Sequence, residues 1–351
     1  MPLKRASDLF VKLIDPELLA KAAKTACRHR KDRAEVERFK ADAERNLESL
    51  RNTLIEGSFV SSEYRTRIKN ERGKDRLIAD IDLFPDRILH CAVCLVVEDF
   101  LNRKLVSQVY GGCPGKGQHL AVSKISGYLR EDPRIEYALV LDVRHFYASI
   151  DKDILKAKLR GVIKDYRFLE LVDQLIDDYP LPGLPLGSRF SSMLANLYLS
   201  EMDHMLCERH HVHYYARFMD DIVILGYSKP WLRRIFGIIR DHLSGIGLEV
   251  KPNWQIFPVR SRGIDYVGYV IHPDHVLLRK STKKRMQARA RAIAEKQEDP
   301  TYVLDRHDLG TIHSYEGCLK WCDGRHLRHL TFDDIYERDK ENRRNTKETT
   351  S

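Results

Sequence analysis

Three carboxylates stand where apolar strands should run. Asp142 closes the run Ala138-Leu139-Val140-Leu141, and Asp220-Asp221 precede Ile222-Val223-Ile224-Leu225. Burying an unpaired carboxylate is expensive, and two adjacent acids repel each other unless a cation neutralises them. The nearest local base is the single Arg217. A divalent metal is the simplest answer. One Asp from one strand and an Asp pair on a hairpin supply the oxygen ligands that hold two Mg2+ ions about 3.5–4 Å apart, activating a nucleophile and stabilising a leaving oxygen. A plain hairpin turn would also account for Asp220-Asp221, because Asp is common there.

The elements that must position these acids follow from the apolar pattern. Ala138 to Val143 reads as a buried strand, and Tyr214 to Tyr227 is strand-like on both sides of the acidic pair. Gly247-Leu248-Glu249-Val250 and Tyr266-Val267-Gly268-Tyr269-Val270 read as further strands. Lys152 to Asp177 is expected as helices ending at Pro180, Arg189 to Cys207 as a long apolar helix and Trp231 to Leu243 as another. Between them, Gly183-Leu184-Pro185-Leu186-Gly187 is a punctuated loop. Residues 1–75 are dense in Lys, Arg and Glu, with Leu47, Leu50 and Leu54 at helical spacing, so surface helices on a basic arm are expected there. The polar stretch after Arg338 is expected to be a mobile tail.

Composition narrows the class. The 351 residues carry 60 Lys and Arg against 51 Asp and Glu, a net charge of +9, which favours an acidic partner. Hydrophobic residues at 43% exclude wholesale disorder. No apolar run approaches the ~18 residues of a membrane span and no signal-type segment opens the chain, so a cytoplasmic protein without membrane partners is expected. Seven cysteines, an odd number spread over the chain, point to reduced thiols. Cys91-x-x-Cys94 with Cys318 and Cys322 could mimic a zinc site, but the apolar helical run around Cys91 favours core packing.

At this point the sequence resembles a known family. Leu141-Asp142-Val143-Arg144-His145-Phe146-Tyr147-Ala148-Ser149-Ile150-Asp151 is similar to the first catalytic block of reverse transcriptases. Gly183 to Ser188, running into Ser191 and Leu194-Ala195-Asn196-Leu197-Tyr198, resembles the second, and Tyr215-Ala216-Arg217-Phe218-Met219-Asp220-Asp221 resembles the third. With Arg76 and Asp86-Arg87 upstream and Gly263 to Tyr269 downstream, the likeness covers roughly residues 70–330. Among bacterial members it is nearest the diversity-generating retroelement type, through Leu277-Leu278-Arg279-Lys280-Ser281 and Ser314-Tyr315-Glu316-Gly317. Defence-associated prokaryotic reverse transcriptases and group II intron maturases share the core blocks.

The resemblance implies an α+β right-hand polymerase fold and RNA-templated DNA synthesis. Its parts would be fingers at 76–137, a palm with an antiparallel sheet at 138–272, a helical thumb at 273–335 and a tail at 336–351. Asp142, Asp220 and Asp221 would be the catalytic carboxylates on two Mg2+ ions, with Mn2+ as a substitute and Val143 alongside at the metal. Backbone N–H groups of Val143 and Arg144 would meet triphosphate oxygens, Lys74 and Arg76 would grip the triphosphate, and Lys251 would protonate departing pyrophosphate. The Tyr147 ring would lie under the sugar and exclude a 2′-OH. Gly187 would let the backbone pass close beneath the nascent base pair, and Gly268-Tyr269 would form the primer grip. Lys280, Lys283, Lys284 and Arg285 recur at helical spacing and read as a basic thumb helix on duplex backbone.

Partners would be an RNA template, dNTPs and nascent DNA, with an accessory protein or a second copy of the chain as further candidates. A catalytically silent RNA-binding scaffold is a competing reading, opposed by the presence of all three acids. No attached nuclease or maturase domain is expected. Where the retroelement relatives carry Ser-Gln this chain has Ser191-Ser192. A Gln can hydrogen-bond toward the nascent pair and a short hydroxyl cannot, so faithful copying of template adenines is expected. That favours an antiphage defence enzyme with a dedicated non-coding RNA over a mutagenic retroelement.

Overall fold

The computed structural model describes residues 5–28, 34–71 and 74–349, without the side chains of residues 71, 74, 76 and 346–349. The chain divides into two units. One comprises residues 1–115, 142–213 and 235–253; the other comprises 116–141, 214–234 and 254–351.

The first unit is mainly helical. Helix Pro16–Cys27 starts at Pro16, and Asp15 caps it by accepting from the Glu17 and Leu18 amides at 2.8 and 3.1 Å. Its face of Leu19, Ala22 and Ala23 is buried, and the helix packs on Ile88–Asn102, which buries Ile88, Leu89, Ala92, Val93 and Val97. The segment expected as a surface arm is therefore part of a core, because its apolar residues form one stripe per helix that must be covered. Strand β1 (Arg65–Glu71) pairs antiparallel with β2 (Lys74–Asp80), so the expected boundary at 75/76 falls inside one hairpin. Helices Lys152–Val162 and Tyr166–Asp177 are capped by Asp151 and Asp165. Helix Arg189–His204 buries Phe190, Leu194, Leu197, Tyr198 and Met202 and is capped by Ser188, whose hydroxyl accepts from the Ser191 amide.

The second unit holds a four-stranded sheet made of β3 (Tyr137–Asp142, whose last residue Asp142 belongs to the first unit), β4 (Tyr215–Phe218), β5 (Asp221–Gly226) and β6 (Gln255–Pro258), in the order β4-β5-β3-β6. The pairs β4–β5 and β3–β6 are antiparallel. A second antiparallel sheet joins β7 (Ile264–Tyr266), β8 (Tyr269–Ile271) and β9 (Val276–Leu278), so the expected palm–thumb boundary at 272/273 parts two hydrogen-bonded strands. Helices Lys280–Lys296, Arg306–Leu319 and Arg325–Thr349 follow and pack on one another.

Two further expectations are corrected. Gly247 to Val250 forms no strand. Gly247 has φ +76°, and the Leu248 amide returns to the Leu243 carbonyl at 2.8 Å, closing the end of helix Lys229–Gly245. Only Val250 makes a β-bridge, to Val143. Nor does the polar stretch after Arg338 trail away. It continues the helix to Thr349, held by buried polar groups: Asp339 accepts from the Leu304 amide at 2.7 Å, and Asn342 donates to the Tyr302 carbonyl at 2.8 Å.

Candidate active site

Asp142 is the last residue of β3. Beyond it the chain is laced to residues 249–251: the Lys251 amide donates to the Asp142 carbonyl at 2.8 Å, and the Arg144 amide donates to the Glu249 carbonyl at 2.7 Å. This corrects one expectation, since the Arg144 N–H that was to meet triphosphate is already committed. The Arg144 side chain pairs with Glu249 at 3.1 Å, and Val143 is fully buried in its bridge to Val250. The Asp142 carboxylate is split in environment. Oδ2 is ion-paired to Lys251 Nζ, while Oδ1 is buried without a hydrogen-bond partner.

Tyr147 is half-buried on the short helix Phe146–Ser149, which starts after His145 at φ +45°. Its hydroxyl lies 3.1 Å from Ser192 Oγ, and Ser192 Oγ donates to the Ser188 carbonyl at 3.0 Å. A serine hydroxyl has one proton, so with that proton on Ser188 its oxygen accepts from Tyr147. Behind the ring, Gly183 packs on the Tyr147 backbone. Its φ is +76°, a Cβ there would stand 2.0 Å from the Tyr147 carbonyl oxygen, and the Leu184 amide donates to that oxygen at 2.8 Å. Gly187 has φ +91° with open space around it.

A cavity of about 500 Å³ adjoins this loop within the same unit, lined by Arg67, Arg87, His90, Gly187, Ser188 and Phe190 among others. The His90 ring stacks on Phe190 with centroids 4.9 Å apart, and its Nε2 has no hydrogen-bond partner. Burial holds the imidazole neutral by lowering its pKa to about 4. Arg87 donates to the Ile81 carbonyl at 3.2 Å and stands 3.7 Å from Asp80. Lys74 and Arg76 lie on β2, but their side chains fall outside the described residues.

In the second unit the acidic pair sits on a two-residue hairpin. Phe218 pairs with Asp221, leaving Met219 and Asp220 as the turn, with Met219 at φ +56°. Positive φ at the first turn residue suits the primed turns that match strand twist, and it is costly for a residue other than Gly or Asn. Arg217, fully buried on β4, donates from Nη1 to the Met219 carbonyl at 3.0 Å and so fixes the strained turn. Asp221 opens β5, the strand that neighbours β3 in the sheet.

The β7–β8 turn is equally tight. Val267 and Gly268 have φ +40° and +97° between the paired Tyr266 and Tyr269, and the Gly268 carbonyl accepts from the Arg279 amide at 3.0 Å. Tyr269 is buried, and its hydroxyl donates to the Cys318 carbonyl at 3.0 Å. Helix Lys280–Lys296 buries Met286, Ala290 and Ile293 and exposes Lys280, Lys283 and Lys284, while Arg285 is half-buried against Thr282 at 3.2 Å.

Among the described residues no three His, Cys, Asp or Glu side chains gather into a ready-made metal cluster. The donor chemistry nevertheless suits a hard divalent ion, since the buried Asp142 Oδ1 is a carboxylate oxygen with no other partner. Sequence reasoning placed Gly183 in a loop and Arg217 beside the acids, but missed the packing of Gly183 on Tyr147, the burial of Arg217 and the Tyr147–Ser192 bond.

Residues 68–271 match the family described as Reverse transcriptase (RNA-dependent DNA polymerase). The chain is 25% identical over 258 residues to Protein YkfC of Escherichia coli K12, covering 69% of this chain and 61% of that protein. It is 27% identical over 108 residues to nuclear intron maturase 1, mitochondrial, of Arabidopsis thaliana, covering 29% of this chain and 14% of the maturase. The chain thus spans about three fifths of the first relative's length and far less of the second's. Apo telomerase from Candida tropicalis is similar in fold, with a TM-score of 0.51 at 13% identity over 64% of this chain and 50% of that one.

Proposed function

Because the chain belongs to the reverse transcriptase (RNA-dependent DNA polymerase) family, we propose that it copies an RNA template into DNA from deoxynucleoside triphosphates. The observation that supports this reading is the acidic hairpin, whose two-residue turn sets Asp220 and Asp221 at the head of β5 with the buried Arg217 holding the turn. In the reaction the primer 3′-hydroxyl attacks the α-phosphorus and pyrophosphate leaves. Asp142, Asp220 and Asp221 would hold Mg2+, with Val143 beside it, and the ion would supply Lewis-acid stabilisation of the attacking and leaving oxygens. Lys251 donates a proton toward the departing pyrophosphate. Tyr147 closes the space beside ribose C2′, Lys74, Arg76 and Gly187 hold the nucleotide, and the Gly268 turn holds the primer end. Exposed Lys280, Lys283 and Lys284, with Arg285, follow duplex phosphates. The test is incorporation of a deoxynucleotide on a primed RNA with Mg2+: wild-type protein extends, and Asp220→Asn does not. Extension by Asp220→Asn at the wild-type rate overturns the reading.

We further propose a role in antiphage defence, with a dedicated non-coding RNA as template. Ser192 supports this, since its hydroxyl is engaged by Tyr147 and Ser188 and offers no long amide toward a nascent base pair. Sequencing cDNA made on a defined adenine-containing RNA decides between this role and that of a mutagenic retroelement. Substitutions confined to template adenines would move the assignment to the retroelement.

A further inference from the structure

We propose that Lys251 is a built-in competitor for the metal: its ammonium occupies the Asp142 carboxylate in the metal-free protein and releases it when a divalent cation binds. The inference rests on the reading of Asp142 as a metal ligand.

The placement of Lys251 depends on backbone more than on its flexible side chain. Residues 249–251 run beside residues 142–144 and are joined to them by the Lys251 amide on the Asp142 carbonyl, the Val143–Val250 bridge and the Arg144 amide on the Glu249 carbonyl. Lys251 Cα is thus fixed next to Asp142, although 109 residues separate the two in sequence. From that anchor the ammonium reaches Oδ2, while Oδ1 stays buried without a partner. A carboxylate with one satisfied and one orphaned oxygen is half-neutralised, and the orphan pays a desolvation cost that a cation would relieve. Both side chains of the pair are about one third exposed or less, at 32% for Lys251 and 26% for Asp142, so water can reach the ammonium once it lets go. A lysine suits this role better than an arginine. Its charge is a compact point on a four-carbon stem that can swing aside, whereas a guanidinium would fork onto both oxygens.

Two consequences follow. A metal whose charge draws on both oxygens of Asp142 displaces the ammonium from Oδ2, so apparent affinity is scaled by the fraction of molecules in which the carboxylate is free. After displacement Lys251 is an untethered cation at the same site, available to the triphosphate.

The test measures Mn2+ alone, without nucleotide, by the EPR signal of the free ion. Lys251→Met is expected to bind Mn2+ about twofold to fivefold more tightly than wild type, the factor an ion pair of modest strength imposes. Lys251→Arg, which keeps the pair, should not tighten binding. Unchanged or weaker binding by Lys251→Met overturns the proposal. Asp142→Asn separates the two readings. Loss of Mn2+ binding in Asp142→Asn with no effect of Lys251→Met removes the competitor role alone, whereas unchanged binding in Asp142→Asn removes Asp142 as a ligand and the proposal with it. A second measurement needs no variant. Acetylation of Lys251 in the wild-type protein, followed by peptide mass spectrometry, should be faster with Mn2+ than with EDTA, and equal rates overturn the release.

Discussion

The Tyr147 hydroxyl is 3.1 Å from Ser192 Oγ, which itself donates to the Ser188 carbonyl, so the ring proposed to read the sugar is tethered to the first turn of helix Arg189–His204. Sugar selection then depends on the tether as well as on the ring. Tyr147→Ala should raise ribonucleotide use strongly, measured as the ratio of kcat/KM for a dNTP over its rNTP. Ser192→Ala should lower that ratio by only about fivefold, the worth of one hydrogen bond between uncharged groups. Full discrimination in Tyr147→Ala returns the ring to a packing role.

On the proposed role of Asp142 and Asp220 as metal ligands, removing either carboxylate removes stabilisation of charge in the transition state. Asp142→Asn and Asp220→Asn should each cut single-turnover incorporation by at least about 100-fold, the range seen when one electrostatic contact to the reacting centre is lost. Thermal denaturation should show both variants folded. An active Asp142→Asn would leave the β4–β5 hairpin as the sole acid source.

Met219 sits at φ +56°, where a β-branched side chain is strained. Met219→Ile should destabilise by about 1–2 kcal/mol, and Met219→Asn should be neutral or stabilising. Urea midpoints with unchanged slopes measure both. Equal stability of the Ile and Asn variants would show that the turn relaxes.

Burial keeps His90 neutral, with its pKa lowered to about 4, whereas an unfolded chain titrates histidine near ~6.5. Between those values the unfolded state binds more protons, so acid favours unfolding. The contribution of this group is complete above about pH 6.5 and falls as pH drops toward 4, by up to about 3 kcal/mol. His90→Gln should flatten the acid limb of a stability profile over that window. An identical profile would place the imidazole's titration elsewhere.

Binding of RNA–DNA duplex should weaken steeply with salt, because the exposed lysines of helix Lys280–Lys296 release counterions from phosphates. Charge reversal at Lys283 and Lys284 should lower the slope of log affinity against log salt by about one to two units. Fluorescence anisotropy at several salt concentrations reads this directly. A flat salt response in the wild-type protein would contradict a phosphate-tracking face.

The acids were legible in the sequence because their surroundings are local: four apolar residues before Asp142 and four after Asp221 mark strands, and a strand ending in a carboxylate asks for a reason. The β7–β8 turn was legible for the same reason, from Gly268 between short apolar stretches. What stayed hidden depends on distant partners. The sequence around Lys251 carries no sign of a carboxylate 109 residues earlier, and the Arg144 amide reads as available until Glu249 is seen opposite it. Gly247 to Val250 has strand composition but lies where a helix end must be closed, and the closing hydrogen bond prevailed over propensity. The polar residues after Arg338 look disordered by composition, yet Asp339 and Asn342 find backbone partners near residues 302–304 that fix the helix.

The two-residue turn between Phe218 and Asp221 makes the acidic hairpin a device of fixed length. Side chains alternate faces along a strand, so one added or deleted residue would turn Asp221 and all of β5 to the opposite face and unpack Ile222 to Leu225 together. Evolution around this hairpin can explore composition but not insertions. Variants of the enzyme should therefore accumulate their length differences in other loops, leaving the spacing from Arg217 to Asp221 unaltered.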